Sequence, residues 1–544
     1  MRGCMMDFPL TVNHLLERAG RLFSDREIVS RRPDRTIHRY TYGDFVRRAK
    51  RLASALERAG LEPGDRVATM MWNHSGHLEA YFGIPYARGV VHTLNLRLHP
   101  GEIAFIANHA RDRFLIVDDV LLPVFEKFRS NTKFERVIVV PFGGSKRPVP
   151  AGGEDYEDFL ASGSEDFRAR EVEEDDAAAM CFTSGTTGES KGVVYSHRSL
   201  VLHSFILALP DVESLSTHSV VFPVSPMFHA NAWGVPWACV MVGASLVFPG
   251  PHVDAETLLD TMAAEGVTHS CAVPTVWLGV QAALEKEPAR WSFPRPITIL
   301  CGGTAPPASL IQNLDRANLR ILHGWGMTET SPLATTGSLK AKMARWTPER
   351  QLERRAMQGM ALPFVEIRLM GPEGEAARDG EAAGEIEIRG PWIASSYFNC
   401  PDQQHRWTSD GWFRTGDIAT MDREGYLKIV DRSKDLIKSG GEWISSVDLE
   451  NAIVAHPGVR EAAVIGVAHP KWQERPLAVV VRKEGAAVRS EDLRGFLLEQ
   501  FAKWQVPDAF VFVDELPHTS VGKLLKRKLR EDYAEFDWEA QRKS

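Results

Sequence analysis

Short apolar runs alternate with helix-like stretches along the first 300 residues, and this alternation limits the fold more than any other feature of the chain. The runs lie at 66–71, 114–117, 136–140, 219–224, 245–248 and 297–300, and the first of them is bounded by Gly64 and Asn73. Strands that alternate with helices pair in parallel and are covered by helices on both faces. The pattern therefore predicts an α/β fold whose large N-terminal domain contains parallel-rich sheets.

Two amphipathic helices precede the first of these strands. Apolar residues recur at helical spacing across residues 15–23 and again across residues 41–59. The second helix begins with Thr41 and Asp44, the two side chains of a capping box. A later uncharged stretch, residues 231–248, is interrupted by glycine and proline and has no flanking Lys or Arg. It predicts a buried helix followed by a strand, in preference to a membrane-spanning helix.

The pattern changes after about residue 363, where short strands are separated by Gly and Asp turns. These strands predict a β-rich subdomain at the end of the large domain. Residues 432–544 then combine helix and strand patterns in a small α+β unit, whose last helix is predicted over Lys523–Glu531. We therefore place the two domains at 1–431 and 432–544. Residues 144–178 are polar and predicted to form a surface excursion, and residues 340–355 are charged and lack strong periodicity.

Charge and cysteine content exclude several classes of protein. The formal net charge is −7, so no bulk positive field would draw the chain to nucleic acid. The six cysteines include no CxxC pair, which argues against a zinc site or a disulfide framework and favours a reducing compartment. Asp7 and Pro9 interrupt the N-terminus before the core of a signal peptide could form. We expect a cytoplasmic protein with no integral membrane segment, in at most peripheral contact with a membrane.

The segment that carries the most chemical information is the loop at residues 182–192, Phe-Thr-Ser-Gly-Thr-Thr-Gly-Glu-Ser-Lys-Gly. Small hydroxyl residues and glycines let backbone N–H groups approach an anion closely, and Lys191 adds a point charge. An apolar strand pattern precedes the loop and another follows it, which argues against a flexible linker. The residue order differs from the Walker P-loop, in which Ser or Thr follows the lysine. The segment, which we call the phosphate loop, therefore predicts a phosphate site of another kind.

This loop resembles the signature of the adenylate-forming enzymes, which include acyl-CoA synthetases, luciferases and the adenylation domains of peptide synthetases. The family usually has proline where this chain has Ser190. The resemblance covers nearly the whole chain, because further motifs follow in the family's order at residues 226–233, 302–306, 324–330, 412–417, 431–438 and 522–523.

Among these enzymes, the chain is most similar to bacterial medium- and long-chain fatty acyl-CoA synthetases, through residues 191–197, 439–446 and 469–476. The resemblance implies a ligase that joins a fatty acid to ATP as an acyl-adenylate, releases pyrophosphate and passes the acyl group to the thiol of coenzyme A. It implies ATP, magnesium and coenzyme A as the small-molecule ligands. A CoA ligase for a short thioether or branched acid such as methylmercaptopropionate stays open, as does an adenylating enzyme that does not use CoA. A non-catalytic nucleotide-binding module is a further alternative, disfavoured because Glu329 and Lys523 are both present.

The resemblance also assigns the nucleotide site. Thr183 and Glu329 would hold magnesium, Asp417 and Arg432 would bind the ribose hydroxyls, and Lys523 would reach the α-phosphate during adenylation. The other implied ATP-binding residues fall into three groups. Those around the phosphates are Ser184, Gly185, Thr186, Thr187, Gly188 and Lys191, and those near the boundary of the small domain are Lys434 and Lys438. Those around the adenine are Gly302, Gly303, Thr304, His323, Gly324, Trp325 and Thr328, with Trp325 stacked on the base.

The acyl and thiol substrates are assigned in the same way. His229, Ala230 and Trp233 would line the acyl site, and Gly440, Gly441, Glu442 and Trp443 the path of the pantetheine arm. The implied catalytic residues are Lys523, Lys438, Glu329, His229 and Lys191. In the family the small domain is mobile and turns about the residue that matches Lys434, presenting one face for adenylation and the opposite face for thioester formation. The apolar segment before Thr41 is a candidate contact between two copies in a homodimer.

Overall fold

The alternation of strands and helices expected from the sequence is present in the computed structural model. It describes residue 1 and residues 3–144, 149–183, 190–432, 435–439, 442–469, 471–519 and 522–538, with the backbone alone for Glu442 and Trp443. Up to residue 361 the strands are β1 (Glu27–Arg31), β2 (Ile37–Thr41), β3 (Arg66–Met70), β4 (Val90–Thr93), β5 (Asp112–Asp118), β6 (Arg136–Val140), β7 (Gly153–Asp155), β8 (Ala177–Phe182), β9 (Gly192–Ser196), β10 (Val220–Pro223), β11 (Ser245–Phe248), β12 (His269–Ala272), β13 (Ile297–Cys301), β14 (Leu319–Gly326), β15 (Leu333–Thr336) and β16 (Met360–Ala361).

Helices connect most of these strands. They are α1 (Val12–Leu22), α2 (Tyr42–Arg58), α3 (Ser75–Tyr86), α4 (Pro100–Ala110), α5 (Leu122–Phe125), α6 (Tyr156–Ala161), α7 (His197–Leu207), α8 (Ala230–Trp233), α9 (Val235–Val242), α10 (Ala255–Ala264), α11 (Pro274–Lys286), α12 (Ala308–Asp315) and α13 (Pro348–Ala356). The predicted capping box of α2 is confirmed, because Asp44 N donates to Thr41 Oγ1 and Thr41 N donates to the Asp44 carboxylate.

Two parallel-rich sheets organise this part of the chain. One has seven strands in the order β7-β6-β5-β3-β4-β8-β9, and the other has nine in the order β16-β15-β14-β13-β12-β10-β11-β1-β2. Their central strands pair in parallel, and antiparallel pairs occur where β8 meets β9 and where β1 meets β2. The predicted α/β fold class is confirmed. Strands β8 and β9 carry the two ends of the phosphate loop.

A β-rich subdomain and a small α+β unit follow. The subdomain is an antiparallel sheet in the order β18-β17-β19-β20-β21, built from β17 (Glu366–Gly371), β18 (Gly374–Glu375), β19 (Ala383–Arg389), β20 (Phe413–Met421) and β21 (Leu427–Arg432). The small unit, which we call the C-terminal unit, contains β22 (Ile437–Ser439), β23 (Glu442–Ile444), α14 (Ser446–Val454), β24 (Val459–His469), β25 (Gln473–Arg482), α15 (Ser490–Leu498), β26 (Ala509–Val513) and α16 (Lys526–Asp532).

Two expectations from the sequence are wrong in detail. Residues 144–178 are more than a surface excursion, because β7 extends the seven-stranded sheet and Tyr156 of α6 is fully buried. Strand β7 and helix α6 are short and flanked by polar residues, so the sequence pattern does not predict them. The last helix begins at Lys526, whereas the pattern of basic residues suggested a start at Lys523. Lys523 therefore lies in the turn before α16.

A buried polar network fixes the start of α16. The Lys526 ammonium donates to Glu450 Oε1 at 2.8 Å and to Ser446 Oγ at 2.5 Å, and Ser446 N donates to the Asp431 carboxylate at 2.8 Å. Burial raises the pKa of Glu450 to about 7, which Lys526 partly offsets. The network ties the end of β21 to α14 and α16. It thereby fixes the turn that carries Lys523.

None of the helices within the described ranges combines the length and the apolar character that crossing a bilayer requires.

Candidate active site

A cavity lies between the nine-stranded sheet, the β-rich subdomain and the C-terminal unit. Parallel strands end at the same edge of a sheet, so the segments after β13 and at the end of β14 meet there. The residues that line the cavity come from all three parts of the structure, and include Gly303, Thr304, His323, Gly324, Trp325, Asp417, Arg432, Glu450, Lys523 and Lys526.

Glycines allow the close backbone approach at the edge of the sheet. A Cβ on Gly302 would lie 2.5 Å from the carbonyl oxygen of Gly324, and Gly303 adopts a φ of +89°. A side chain at either position would displace the neighbouring strand or strain the backbone. The paired ends of β13 and β14 therefore form a flat wall of backbone beside Thr304 and Trp325.

Asp417 is held by two partners inside the cavity. Trp325 Nε1 donates to Asp417 Oδ2 at 3.0 Å, and the Arg432 guanidinium lies 3.3 Å from Asp417 Oδ1 across the β20–β21 ladder. The Asp417 carboxylate raises the pKa of Arg432. The two residues assigned to the ribose thus lie side by side. Trp325 lies next to them with its indole N–H already engaged by Asp417.

Lys523 enters the cavity from the C-terminal unit. A Cβ on Gly303 would lie 3.1 Å from Lys523 Cε, and Thr275 Oγ1 donates to the Gly522 carbonyl at 3.5 Å. Burial and the charge of Arg432 lower the pKa of Lys523 to about 8, against the opposing effect of Asp417 and Glu329. The side chain therefore brings a flexible cation to the glycine wall.

Glu329 and Lys191 lie at the phosphate-loop end of the site and share a neighbour. Tyr397 donates from its hydroxyl to Glu329 Oε1 at 2.6 Å, and the Lys191 ammonium lies 5.2 Å from the centre of the Tyr397 ring. Lys191 Nζ also donates to Gln403 Oε1 at 2.7 Å. Sequence reasoning missed Tyr397 and Gln403, because nothing in their local sequence connects them to residues 68 and 212 positions away.

The two ends of the phosphate loop are joined. Thr183 N donates to the Lys191 carbonyl at 2.9 Å, and Lys191 N donates to Thr183 Oγ1 at 3.0 Å. Ser190, at the position where the family usually has proline, donates from its hydroxyl to Glu102 Oε1 of α4 at 2.9 Å. Five assigned loop residues lie outside the described residues, namely Ser184, Gly185, Thr186, Thr187 and Gly188.

The residues assigned to the acyl group lie beside the glycine wall. Burial and the charge of Lys523 lower the pKa of His229 to about 3, so the imidazole is neutral. Residues 230–233 form a left-handed turn in which every φ is positive, from 40° to 59°. The Trp233 indole, which is buried, reaches to 3.9 Å from a Cβ placed on Gly302. The acyl and adenine assignments therefore converge on one place.

Some of the assigned residues do not line the cavity, and others lie outside the described residues. Lys438 is on the exposed side of β22, where its backbone N donates to Glu474, and within the described part of the chain it is not among the cavity-lining residues. Thr328 is buried, and its carbonyl accepts a hydrogen bond from Tyr195 at 2.8 Å. Lys434, Gly440 and Gly441 are outside the described residues, and Glu442 and Trp443 are described only as the backbone of β23.

Two protein-family models match the chain. The family model described as "AMP-binding enzyme" matches residues 16–398, and the family model described as "AMP-binding enzyme C-terminal domain" matches residues 448–523. The chain belongs to this family. The resemblance to adenylate-forming enzymes is therefore confirmed.

Full-length relatives support the same membership. A long-chain-fatty-acid–CoA ligase of Thermus thermophilus is 47% identical over 98% of this chain and 97% of its own. A 3-methylmercaptopropionyl-CoA ligase of Ruegeria pomeroyi is 44% identical over 98% of this chain and 99% of its own. A medium-chain-fatty-acid–CoA ligase of Ectopseudomonas oleovorans is 40% identical over 98% of each chain. Among solved structures, ATP-bound MatB from Rhodopseudomonas palustris superposes with a TM-score of 0.80 at 28% identity, covering 96% of this chain and 99% of that one.

The Trp325–Asp417 hydrogen bond generates a first prediction. Trp325→Phe keeps an aromatic ring but removes the N–H that orients the carboxylate, so we expect AMP to bind about tenfold more weakly in calorimetric titration. Trp291→Phe is a matched control, because Trp291 Nε1 makes the same bond to Asp260 at 2.7 Å outside the cavity. Equal losses in the two variants would show that the bond matters only for folding.

Proposed function

We propose that the chain is an ATP-dependent fatty acid–CoA ligase of the AMP-forming type. A carboxylate attacks the α-phosphorus of ATP and expels pyrophosphate, and the thiol of coenzyme A then displaces AMP from the acyl-adenylate. The observation that carries the proposal is the half-buried Lys523 ammonium beside the Asp417–Arg432 pair, in a chain that matches long- and medium-chain fatty-acid–CoA ligases over nearly its full length.

The geometry supports a role for each group in the first step. The vicinal hydroxyls of a ribose match the two oxygens of the Asp417 carboxylate, which lies 3.3 Å from the Arg432 guanidinium. A nucleotide placed in this way would bring its α-phosphate toward Lys523, whose ammonium can neutralise the charge that accumulates there. The neutral His229 leaves the acyl carboxylate free of a competing cation on that side.

The oxygen donors at the phosphate-loop end fit magnesium. No cluster of three or more His, Cys, Asp or Glu side chains capable of holding a metal occurs within the described ranges. Magnesium needs few protein ligands, because it keeps several waters and binds through one or two carboxylates together with substrate phosphates. The Glu329 carboxylate and the Thr183 hydroxyl are such hard donors, and we propose that they hold it. When bound, magnesium would offset the negative charge of the polyphosphate.

The acid is proposed to be a monocarboxylate with an apolar chain. Between Arg198 and Arg290 the only Lys or Arg is Lys286, so a pocket built from this region offers no permanently charged cation to pair with a second carboxylate. Trp233 and Trp237 in the same region are buried. The Ruegeria relatives favour a second candidate, a short thioether acid such as methylmercaptopropionate, which would fit a shallower version of the same pocket.

Assembly, location and domain division are proposed on separate grounds. Met5, Met6 and Phe8 are exposed near the N-terminus, which supports a homodimer contact there. None of the six cysteines, all of which lie within the described residues, forms a disulfide, which supports a reducing compartment such as the cytoplasm, with at most peripheral membrane contact. We propose that residues 1–431 and 432–544 form two domains, joined by a hinge near Lys434.

A panel of carboxylic acids from two to eighteen carbons tests the substrate. We expect kcat/KM for CoA-dependent AMP release to be higher for octanoate and longer acids than for acetate or malonate, because binding a longer apolar chain removes more surface from water. Methylmercaptopropionate belongs in the panel. Equal values for acetate, malonate and octanoate would contradict the proposal, and AMP formation that never requires CoA would indicate a different class of adenylating enzyme.

The two lysines of the C-terminal unit are expected to serve different half-reactions. Lys523→Ala should slow acyl-adenylate formation by about 10²–10³, the usual cost of losing one positioned donor at an accumulating oxyanion. The same variant should pass the acyl group from preformed acyl-adenylate to CoA at a near wild-type rate, and Lys438→Ala should show the reverse. Lys528→Ala, from the exposed face of α16, is the control. Equal impairment of both steps by Lys523→Ala would indicate a single fixed arrangement of the site.

The lowered pKa of Lys523 predicts a pH dependence. With a pKa of about 8, the side chain is an ammonium below pH 8 and loses its proton as the pH rises through that value. Since kcat/KM reports the free enzyme, kcat/KM for ATP in pyrophosphate exchange should fall above about pH 8. Lys523→Arg stays charged and should lose this limb of the profile, whatever its absolute rate. A wild-type profile that stays flat to pH 9.5 would contradict the assignment.

A further inference from the structure

Tyr397 lies where the carboxylate and the cation of the phosphate-loop end come together. Its hydroxyl donates to Glu329 Oε1 at 2.6 Å, and both side chains are buried, with 7% and 5% exposed. Burial, and then the charge of Glu329, raises the pKa of Tyr397. The phenol is therefore protonated at neutral pH and can donate this hydrogen bond.

The face of the same ring is occupied by Lys191. The ammonium lies 5.2 Å from the ring centre, within the range of a cation–π contact, and donates to Gln403 Oε1 at 2.7 Å. The ring and the amide oxygen thus hold the end of a long, flexible side chain in one place. Lys191 lies at the end of the phosphate loop, so its position would set where a positive charge meets the polyphosphate.

The backbone around Tyr397 is tied to both partners. Ala394 N donates to the Glu329 carbonyl at 2.8 Å, and Phe398 N donates to the Gly192 carbonyl at 2.9 Å. Trp407 packs edge-on against Tyr397, with ring centres 5.2 Å apart, and donates from its indole to the Ala394 carbonyl at 2.7 Å. The ring consequently has a fixed position relative to the backbone of Glu329 and to strand β9.

We propose that Tyr397 is a positioning residue for the adenylation step, which orients the Glu329 carboxylate through its hydroxyl and the Lys191 ammonium through its ring. The inference rests on the proposed function, since it assigns Glu329 to magnesium and Lys191 to the phosphates. Hydrogen-bond partners of metal-binding carboxylates fix the direction in which the free oxygen points, and their loss costs 10- to 100-fold in metal affinity or activity. Tyr397 therefore acts on the magnesium requirement without touching the metal.

Tyr397→Phe is the decisive variant, because it removes the hydroxyl and keeps the ring. We expect the magnesium concentration for half-maximal ATP–pyrophosphate exchange to rise by about 10- to 100-fold. In calorimetric titration, the gain in ATP affinity produced by magnesium should shrink, whereas ATP binding without magnesium should stay unchanged. Transfer from preformed acyl-adenylate to CoA should also be unaffected.

Tyr156→Phe is the matched control. Tyr156 is a fully buried tyrosine whose hydroxyl donates to the buried Glu79 at 2.9 Å, outside the site. Tyr156→Phe also removes a buried hydroxyl that donates to a buried glutamate, so the melting temperature of this variant reports the loss of stability alone. The proposal is overturned if the two variants change the magnesium requirement equally, or if Tyr397→Phe lowers the melting temperature and leaves the magnesium requirement unchanged.

Gln403→Ala separates the two halves of the proposal and does not depend on the folding of the tyrosine variant. It releases Lys191 and leaves the Tyr397–Glu329 bond intact, so ATP should bind several-fold more weakly with and without magnesium, at an unchanged magnesium requirement. A changed magnesium requirement in Gln403→Ala would overturn the division of roles. If the wild type supports no acid-dependent pyrophosphate exchange, the proposed function itself fails. A failure of the Tyr397 inference leaves that exchange intact.

Discussion

The proposed chemistry of the cavity depends on one half-buried ammonium group, that of Lys523. Removing a positive charge from water is unfavourable by several kcal/mol unless nearby groups compensate for it. Asp417 and Glu329 supply negative charge, whereas Arg432 adds a second positive charge. The lowered pKa of Lys523 shows that these charges compensate only in part for the loss of hydration of the ammonium. An anionic nucleotide would supply the missing negative charge, so an anionic ligand and the C-terminal unit stabilise each other in this arrangement.

This burial is possible because the surrounding elements are fixed independently. The glycine wall leaves room for the lysine chain, since a side chain at Gly303 would meet Lys523 Cε. The network of Lys526, Glu450, Ser446 and Asp431 holds the turn before α16. The position of Lys523 is therefore set by contacts that do not involve its own charge.

The sequence predicted the class of fold and several of the segments that line the cavity, at residues 302–306, 324–330, 412–417, 431–438 and 522–523, because both leave local signals. Apolar runs of strand length mark the sheets, and glycine and hydroxyl residues mark the loops that approach phosphate. The start of α16 at Lys526 was not predictable from the basic pattern, since a buried ion pair with Glu450 decides it. Tyr397 and Gln403 were missed for a related reason. Their importance lies in partners far away along the chain, and a tyrosine or a glutamine in a loop carries no local mark of such a partner.

The left-handed turn at residues 230–233 has a consequence for how the two substrates differ. Each non-glycine residue in this conformation costs about 1–2 kcal/mol, so the turn is held by its burial and by contacts such as the Cys181–Asn231 hydrogen bond at 3.1 Å. The adenine side, in contrast, is regular β-structure with paired backbone. In the arrangement we propose, the nucleotide would contact this regular sheet and the acid would contact the strained turn. A different acid would then be accommodated by a rearrangement of the turn, without disturbing the sheet.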